Sequence, residues 1–218
     1  MPPTYCQAIL LTASLAAVAA AGEATVYSFD EEPEGTLPAG WTAAKTGEGP
    51  GSDWKIVAYD AGGQMGRALA QTSSEGPSSL FNICVRKDVK CVDFDLSVRV
   101  KAINGVHDRG GGLVWRYRDA NNYYVARWNP LEDNFRVYHV VNSKRTQLAN
   151  ADIKLPPDAW HTIRAVLRGN HIQCYLDGNL LLDVTDDTIK DAGAIGLWSK
   201  ADAVTWFDDL AVNVLAKE

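Results

Sequence analysis

From Phe94 to Lys101 apolar and polar residues alternate without a break. Phe94, Leu96, Val98 and Val100 fall on one side of an extended chain, and Asp95, Ser97, Arg99 and Lys101 on the other. A period of two is the signature of a strand with one buried face. Runs rich in β-branched and aromatic residues predict further strands over 54–59, 79–85, 112–117, 122–128, 135–141, 160–167, 171–176, 180–184, 194–198 and 204–214. Asp119-Ala120-Asn121, Asn142-Ser143, Gly169-Asn170 and Asp177-Gly178 lie between them and accept the positive φ of tight hairpins. After residue 21 no window sustains a helical period, and a single short helical turn is expected over 188–192. Closely spaced strands without helices to cover a parallel sheet imply an all-β fold, a two-sheet antiparallel β-sandwich. The stretch 31–50, rich in Gly, Pro, Glu and Thr, is expected to be a surface excursion within one domain.

Residues 8–21 depart from this pattern. They form an uncharged apolar run ending in small residues, which predicts a secretory signal peptide (1–21) followed by a single domain (22–218), in a secreted or periplasmic protein. The run is shorter than the ~20 residues that span a bilayer, so no membrane span is expected after the signal is removed. Cys6 would leave with the signal. Cys84, Cys91 and Cys174 then remain, an odd number for an oxidising compartment. Cys174 shares parity with Ile172 and Leu176 and reads as a buried thiol. Cys84 and Cys91 flank a polar stretch, 85–90, that reads as a turn, and a disulfide closing that hairpin is the candidate pairing. With 21 Lys and Arg against 27 Asp and Glu, the net charge of −6 supplies no field for a phosphate backbone and argues against a nucleic-acid partner.

The run from Gly111 to Asn129 resembles a concanavalin A-like (laminin-G-like) jelly roll. Its core is Leu113-Val114-Trp115-Arg116-Tyr117-Arg118-Asp119 followed by Tyr123-Tyr124-Val125-Ala126-Arg127-Trp128. Within that group it is most similar to the secreted bacterial domains called family-16 glycoside hydrolase-like, or 3-keto-disaccharide hydrolase-like. Trp160-His161-Thr162-Ile163, Tyr175-Leu176-Asp177-Gly178, Gly193 to Trp198 and Phe207-Asp208-Asp209-Leu210 follow in the same order, so the resemblance spans 26–214. It implies a jelly-roll sandwich, an architecture shared by lectins, hydrolases and adhesion modules. The Glu-x-Asp-x-x-Glu strand motif of family-16 hydrolases does not occur here. For a keto-disaccharide enzyme the resemblance implies an acid/base group and a divalent metal near the concave sheet, which His139 or His107 with Asp119 would supply if the strand faces are the reverse of those assigned by parity below.

Parity sorts the three strands after Gly110. Leu113, Trp115, Tyr117, Tyr124, Ala126, Trp128, Phe135, Val137 and His139 are expected to face the core. The opposite side then carries Arg116, Tyr123, Arg127, Asn129, Arg136 and Tyr138 as a candidate ligand-binding surface. Arginine forks suit vicinal hydroxyls or carboxylates, and tyrosine rings suit the C–H face of a sugar. Carbohydrate is thus the expected partner, held without turnover. A glycoside-processing enzyme acting on 3-keto-glycosides with the same face is the first alternative, and a non-catalytic adhesion module the second. The same arginines could instead form a cross-strand salt-bridge ladder with Asp95, Asp119, Glu132 or Asp133 and need no ligand. Jelly rolls commonly pair their terminal strands, which would bring Asp30 near Asp208 and Asp209 as a candidate structural Ca²⁺ site; the other reading is that Asp208 caps a turn or bonds a backbone amide. No motif calls for another cofactor.

Overall fold

The structure, a computed structural model, describes residues 24–216. The expected signal segment and Cys6 lie outside the described residues. Among those residues 15 strands and no helix form. In chain order they are β1 (Thr25–Tyr27), β2 (Trp41–Thr46), β3 (Trp54–Asp60), β4 (Met65–Gln71), β5 (Phe81–Cys91), β6 (Phe94–Asn104), β7 (Gly111–Asp119) and β8 (Asn122–Asn129). They continue with β9 (Asn134–Val141), β10 (Lys144–Asp152), β11 (His161–Arg168), β12 (His171–Leu176), β13 (Asn179–Thr185), β14 (Gly193–Lys200) and β15 (Val204–Val214).

Two antiparallel sheets pack face to face, as the strand pattern predicts. One has the order β13-β12-β11-β6-β15-β4-β3, with β1 joined to β15; the other has the order β10-β9-β8-β7-β14-β5-β2. The alternation read in β6 is realised, with Phe94, Leu96, Val98 and Val100 wholly buried between the sheets. Trp115 and Tyr124 from the opposing sheet stack in the same core, 5.8 Å apart and nearly parallel. The central strands β7, β8 and β14 are buried on both faces. Side chains are excluded where neighbouring backbones come closest: a Cβ on Gly112 would stand 1.8 Å from the Ala126 carbonyl oxygen.

Three strands form where none was expected. β2 lies inside the 31–50 excursion, and β4 and β10 fill segments read as connections. β10, Lys-Arg-Thr-Gln-Leu-Ala-Asn-Ala-Asp, is an edge strand with no buried face and therefore no alternation to read. The helical turn expected over 188–192 is replaced by bends.

The proposed Cys84–Cys91 disulfide is also corrected. Residues 85–90 do not turn; they belong to β5, with Cys84 opposite Leu197 and Cys91 opposite Gly193 of β14. Four residues of strand put them roughly 13 Å apart, beyond the ~7 Å that a disulfide can bridge. Cys84, Cys91 and Cys174 are all free and buried. Burial raises all three thiols, Cys91 to about 11. The melting temperature should therefore be the same with and without dithiothreitol, as measured by differential scanning calorimetry. A drop on reduction would restore the bridge.

Candidate functional site

Parity in β8 and β9 runs as expected. Tyr124, Ala126, Trp128, Phe135 and Val137 enter the inter-sheet core, while Tyr123, Arg127, Asn129, Arg136 and Tyr138 take the outer side of the seven-stranded sheet. That outer side, however, is not an open display of guanidinium and phenol groups. Tyr123, Arg127, Asn129 and Tyr138 are all buried, and only Arg136 is partly exposed. Curvature is the reason. Arg145 on β10 places its guanidinium carbon 5.0 Å from the ring of Phe81 on β5. Five strand spacings separate them, roughly 24 Å on a flat sheet, so the sheet curls until its sides close over the outer face. The same guanidinium lies 4.5 Å from the Tyr138 ring and 6.0 Å from Trp198. Beneath it Val114, Tyr123, Val125 and Trp198 form a second apolar cluster, confined to this concave face.

Arg116 departs from the expected surface altogether. It sits in a β-bulge with φ 46°, where the β7–β8 pairing jumps from Trp115↔Tyr124 to Asp119↔Asn122. The extra residue moves Tyr117 out of its expected core position and onto the concave face. The Arg116 side chain, 2% exposed, instead donates to the carbonyls of Ile189 (2.7 Å), Gly169 (2.7 Å) and Val92 (3.3 Å). It is a clamp between three chain segments and no part of the concave site.

The polar part of the site converges on Glu132, in the β8–β9 hairpin. Its carboxylate accepts from Arg127 Nη2 at 2.8 Å, Arg136 Nη1 at 3.0 Å and Asn134 Nδ2 at 3.1 Å, and Arg136 Nε also donates to Asn150 Oδ1 at 2.6 Å. The cross-strand ladder weighed from the sequence thus exists for Arg127 and Arg136. Burial would lift the Glu132 pKa, but bonding and charge from Arg127, with help from Asn134 and Arg136, bring it down to about 2. Asn129 anchors the hairpin by accepting from the amides of Leu131 and Glu132, and donates to Asp108 Oδ1 at 3.0 Å. Lys200 Nζ reaches the other Asp108 oxygen at 2.7 Å. Burial raises the Asp108 pKa against the pull of Arg127 and Lys200. Four buried nitrogens on this face remain without a partner: Nε and Nη1 of Arg127, Nη1 of Arg145 and Nε1 of Trp198.

Arg145, Trp198, Phe81, Lys200 and Asp108 were not picked out from the sequence. Arg145 lies on the edge strand with no readable pattern, and Asp108 in a loop. Trp198 shares parity with Ala194 and Gly196, which hid the outward face of β14 behind small residues.

The carboxylates proposed for Ca²⁺ do not converge. Terminal strands β1 and β15 do pair, but Asp30 accepts from the Arg67 amide at 3.1 Å. Asp208 accepts from Tyr59 Oη at 2.7 Å and from the Asp209 amide at 2.8 Å, and Asp209 accepts from Arg99 at 3.0 Å. Among the described residues no three His, Cys, Asp or Glu groups are arranged to hold a metal. Glu132, already shared by two arginines, does not fit a divalent cation either. His139 and His161 are inward-facing, beside Asp186 and Asp177. His107 lies in the β6–β7 loop, 3.3 Å from Asp202.

Fold and face together define a concanavalin A-like sandwich with a curled, aromatic-floored sheet. The chain belongs to the family of the 3-keto-alpha-glucoside-1,2-lyase-like domain, whose sequence model matches residues 26–213. Among solved structures it resembles carbohydrate binding module CBM66 from Bacillus subtilis, with 19% identity and a TM-score of 0.61 over 80% of this chain and 95% of that one. The GH43 protein BlXynB from Bacillus licheniformis matches at 16% identity and a TM-score of 0.60, over 87% of this chain but 39% of its own. The Emp47p carbohydrate recognition domain matches at 13% identity and 0.55, over 87% and 95%. These likenesses show the fold. No curated protein matches the chain.

Because the folded Glu132 carboxyl titrates near 2 rather than 4.5, its stabilising contribution is complete above about 4.5 and is lost as pH falls towards 2. Glu132→Gln should flatten the decline in melting temperature across that window, and an unchanged acid profile would contradict the linkage. Arg116→Met strands three carbonyls and should cost about 3 kcal/mol in urea unfolding, about 1 kcal/mol for each lost bond.

Proposed function

We propose that the protein binds extracellular or cell-wall carbohydrate on the concave face of the seven-stranded sheet and does not turn it over. The observation that carries this reading is the set of unpartnered guanidinium nitrogens on Arg127 and Arg145, held over an aromatic floor. A buried N–H without an acceptor costs free energy, and the half-buried Arg145 is the member of the pair that a ligand hydroxyl can approach. Arg145 is pre-positioned by the rings beneath it, so little side-chain entropy is lost on binding. Arg136, Asn150 and Glu132 form the polar rim. The solved carbohydrate-binding neighbours support a saccharide as the ligand class, and the signal-like segment supports a secreted or periplasmic location.

Family membership favours a second reading, lyase action on a 3-keto-glucoside, which needs a base to take the proton next to the carbonyl. The carboxylates of the face suit this poorly: Glu132 is held near 2 by arginine and Asp108 is tied to Lys200.

The test is a glycan array run in parallel with 3-keto-glucosides in the presence of divalent metals. Retention of a glycan without product is expected. Arg145→Ala should weaken that retention roughly tenfold with its fold intact by circular dichroism. Product release would establish the enzyme instead, and neither retention nor product would leave an adhesion module.

A further inference from the structure

At the far end of the concave face, two strands are deformed at the same level. Ala194 of β14 pairs with Lys90 and Ile195 with Arg86, so β5 extrudes Lys87, Asp88 and Val89 between them. On the other flank of β14 the Arg116 bulge shifts β7, with Ala194 opposite Tyr117 and Gly196 opposite Val114. The paired irregularities frame a pocket of about 340 Å³ lined by Lys87, Lys90, Tyr117, Arg118, Gly193 and Ala194. Gly193 lies so close to β7 that a Cβ would stand 2.3 Å from the Arg116 carbonyl carbon.

The charges around this pocket are not balanced. Asp88 is taken by Arg86 at 2.8 Å, and Asp191 by Arg118. Lys87 and Lys90 are exposed, and neither ammonium group bonds or ion-pairs with any described residue. Two unneutralised ammonium groups thus face one cavity in a chain of net charge −6. Beside them, Tyr117 and Ala194 supply an apolar wall continuous with the aromatic cluster of the face.

We propose that this pocket takes a uronic acid residue of an acidic polysaccharide, with the carboxylate between Lys87 and Lys90 and the C–H side of the ring against Tyr117. A small inorganic anion would leave the apolar wall unused, whereas a charged ring uses both surfaces, and the volume is of the size that holds a small ligand. This rests on the glycan-binding reading above and names its substrate class.

Isothermal titration with polygalacturonate and with its methyl ester, the same backbone without charge, tests it. The expected result is roughly three- to tenfold tighter binding of the acid form, with the preference shrinking as salt is raised. Lys87→Gln/Lys90→Gln should bind both polymers alike at an unchanged melting temperature, while Arg145→Ala should weaken both and keep their ratio. An absent preference in the wild type, or one that survives in the lysine variant, overturns the proposal. If neither polymer binds, amide NMR with monomeric galacturonate separates the two claims. Shifts at Lys90 and Gly193 that glucose does not produce keep the pocket as a uronate site and overturn its place along a bound polysaccharide. No shifts, or equal shifts with inorganic sulfate, discard the uronate site.

Discussion

The guanidinium of Arg145, resting on Phe81, Tyr138 and Trp198, joins the two sides of the seven-stranded sheet, together with the bond between Thr46 of β2 and the Tyr123 hydroxyl of β8. A cation over desolvated aromatic rings gains more than one at the surface. Here it bridges β10 and β5, five strand spacings apart in the sheet order. Given that curl, β7, β8 and β14 must be apolar on both faces, and the residues of the outer face become a second core instead of a washed surface. Positions read as water-facing are therefore covered by their own sheet.

Polar groups taken into such a place need partners, and the hairpin after β8 provides most of them. Glu132 serves Arg127 and Arg136 together, while Asp108 is divided between Lys200 and Asn129. Isolated buried charges are expensive, and a shared network lowers that cost. The incomplete satisfaction of Arg127 and Arg145 stands out against this background. Trp198 Nε1 and Asn134 Oδ1 beside them are unmatched too, so the unmet polar groups of this face gather around the two arginines.

The fold was legible because one-sided strands such as β6 advertise their period, and the face assignment of β8 and β9 was legible for the same reason. Burial on that face was not, since curvature is a property of the whole sheet and leaves no mark in a single strand. Arg116 escaped because a bulge adds one residue and reverses everything after it, and Trp115-Arg116-Tyr117 carries no glycine to announce the kink. Arg145 escaped because an edge strand with both sides half wet has no alternation. Cys84 and Cys91 misled because a polar stretch between cysteines reads as a turn, while here it is an irregular strand held by β14.

The Arg116 clamp divides the molecule into a portion open to remodelling and a portion closed to it. One side chain holds main-chain oxygens at Val92, Gly169 and Ile189, so the three connections there must keep their lengths together. A loop graft or an insertion at that pole would unseat its neighbours as well. The β8–β9 hairpin is bound to its own face through Glu132 instead, so an engineer seeking altered ligand preference would keep Glu132 and vary the exposed Leu131 beside it.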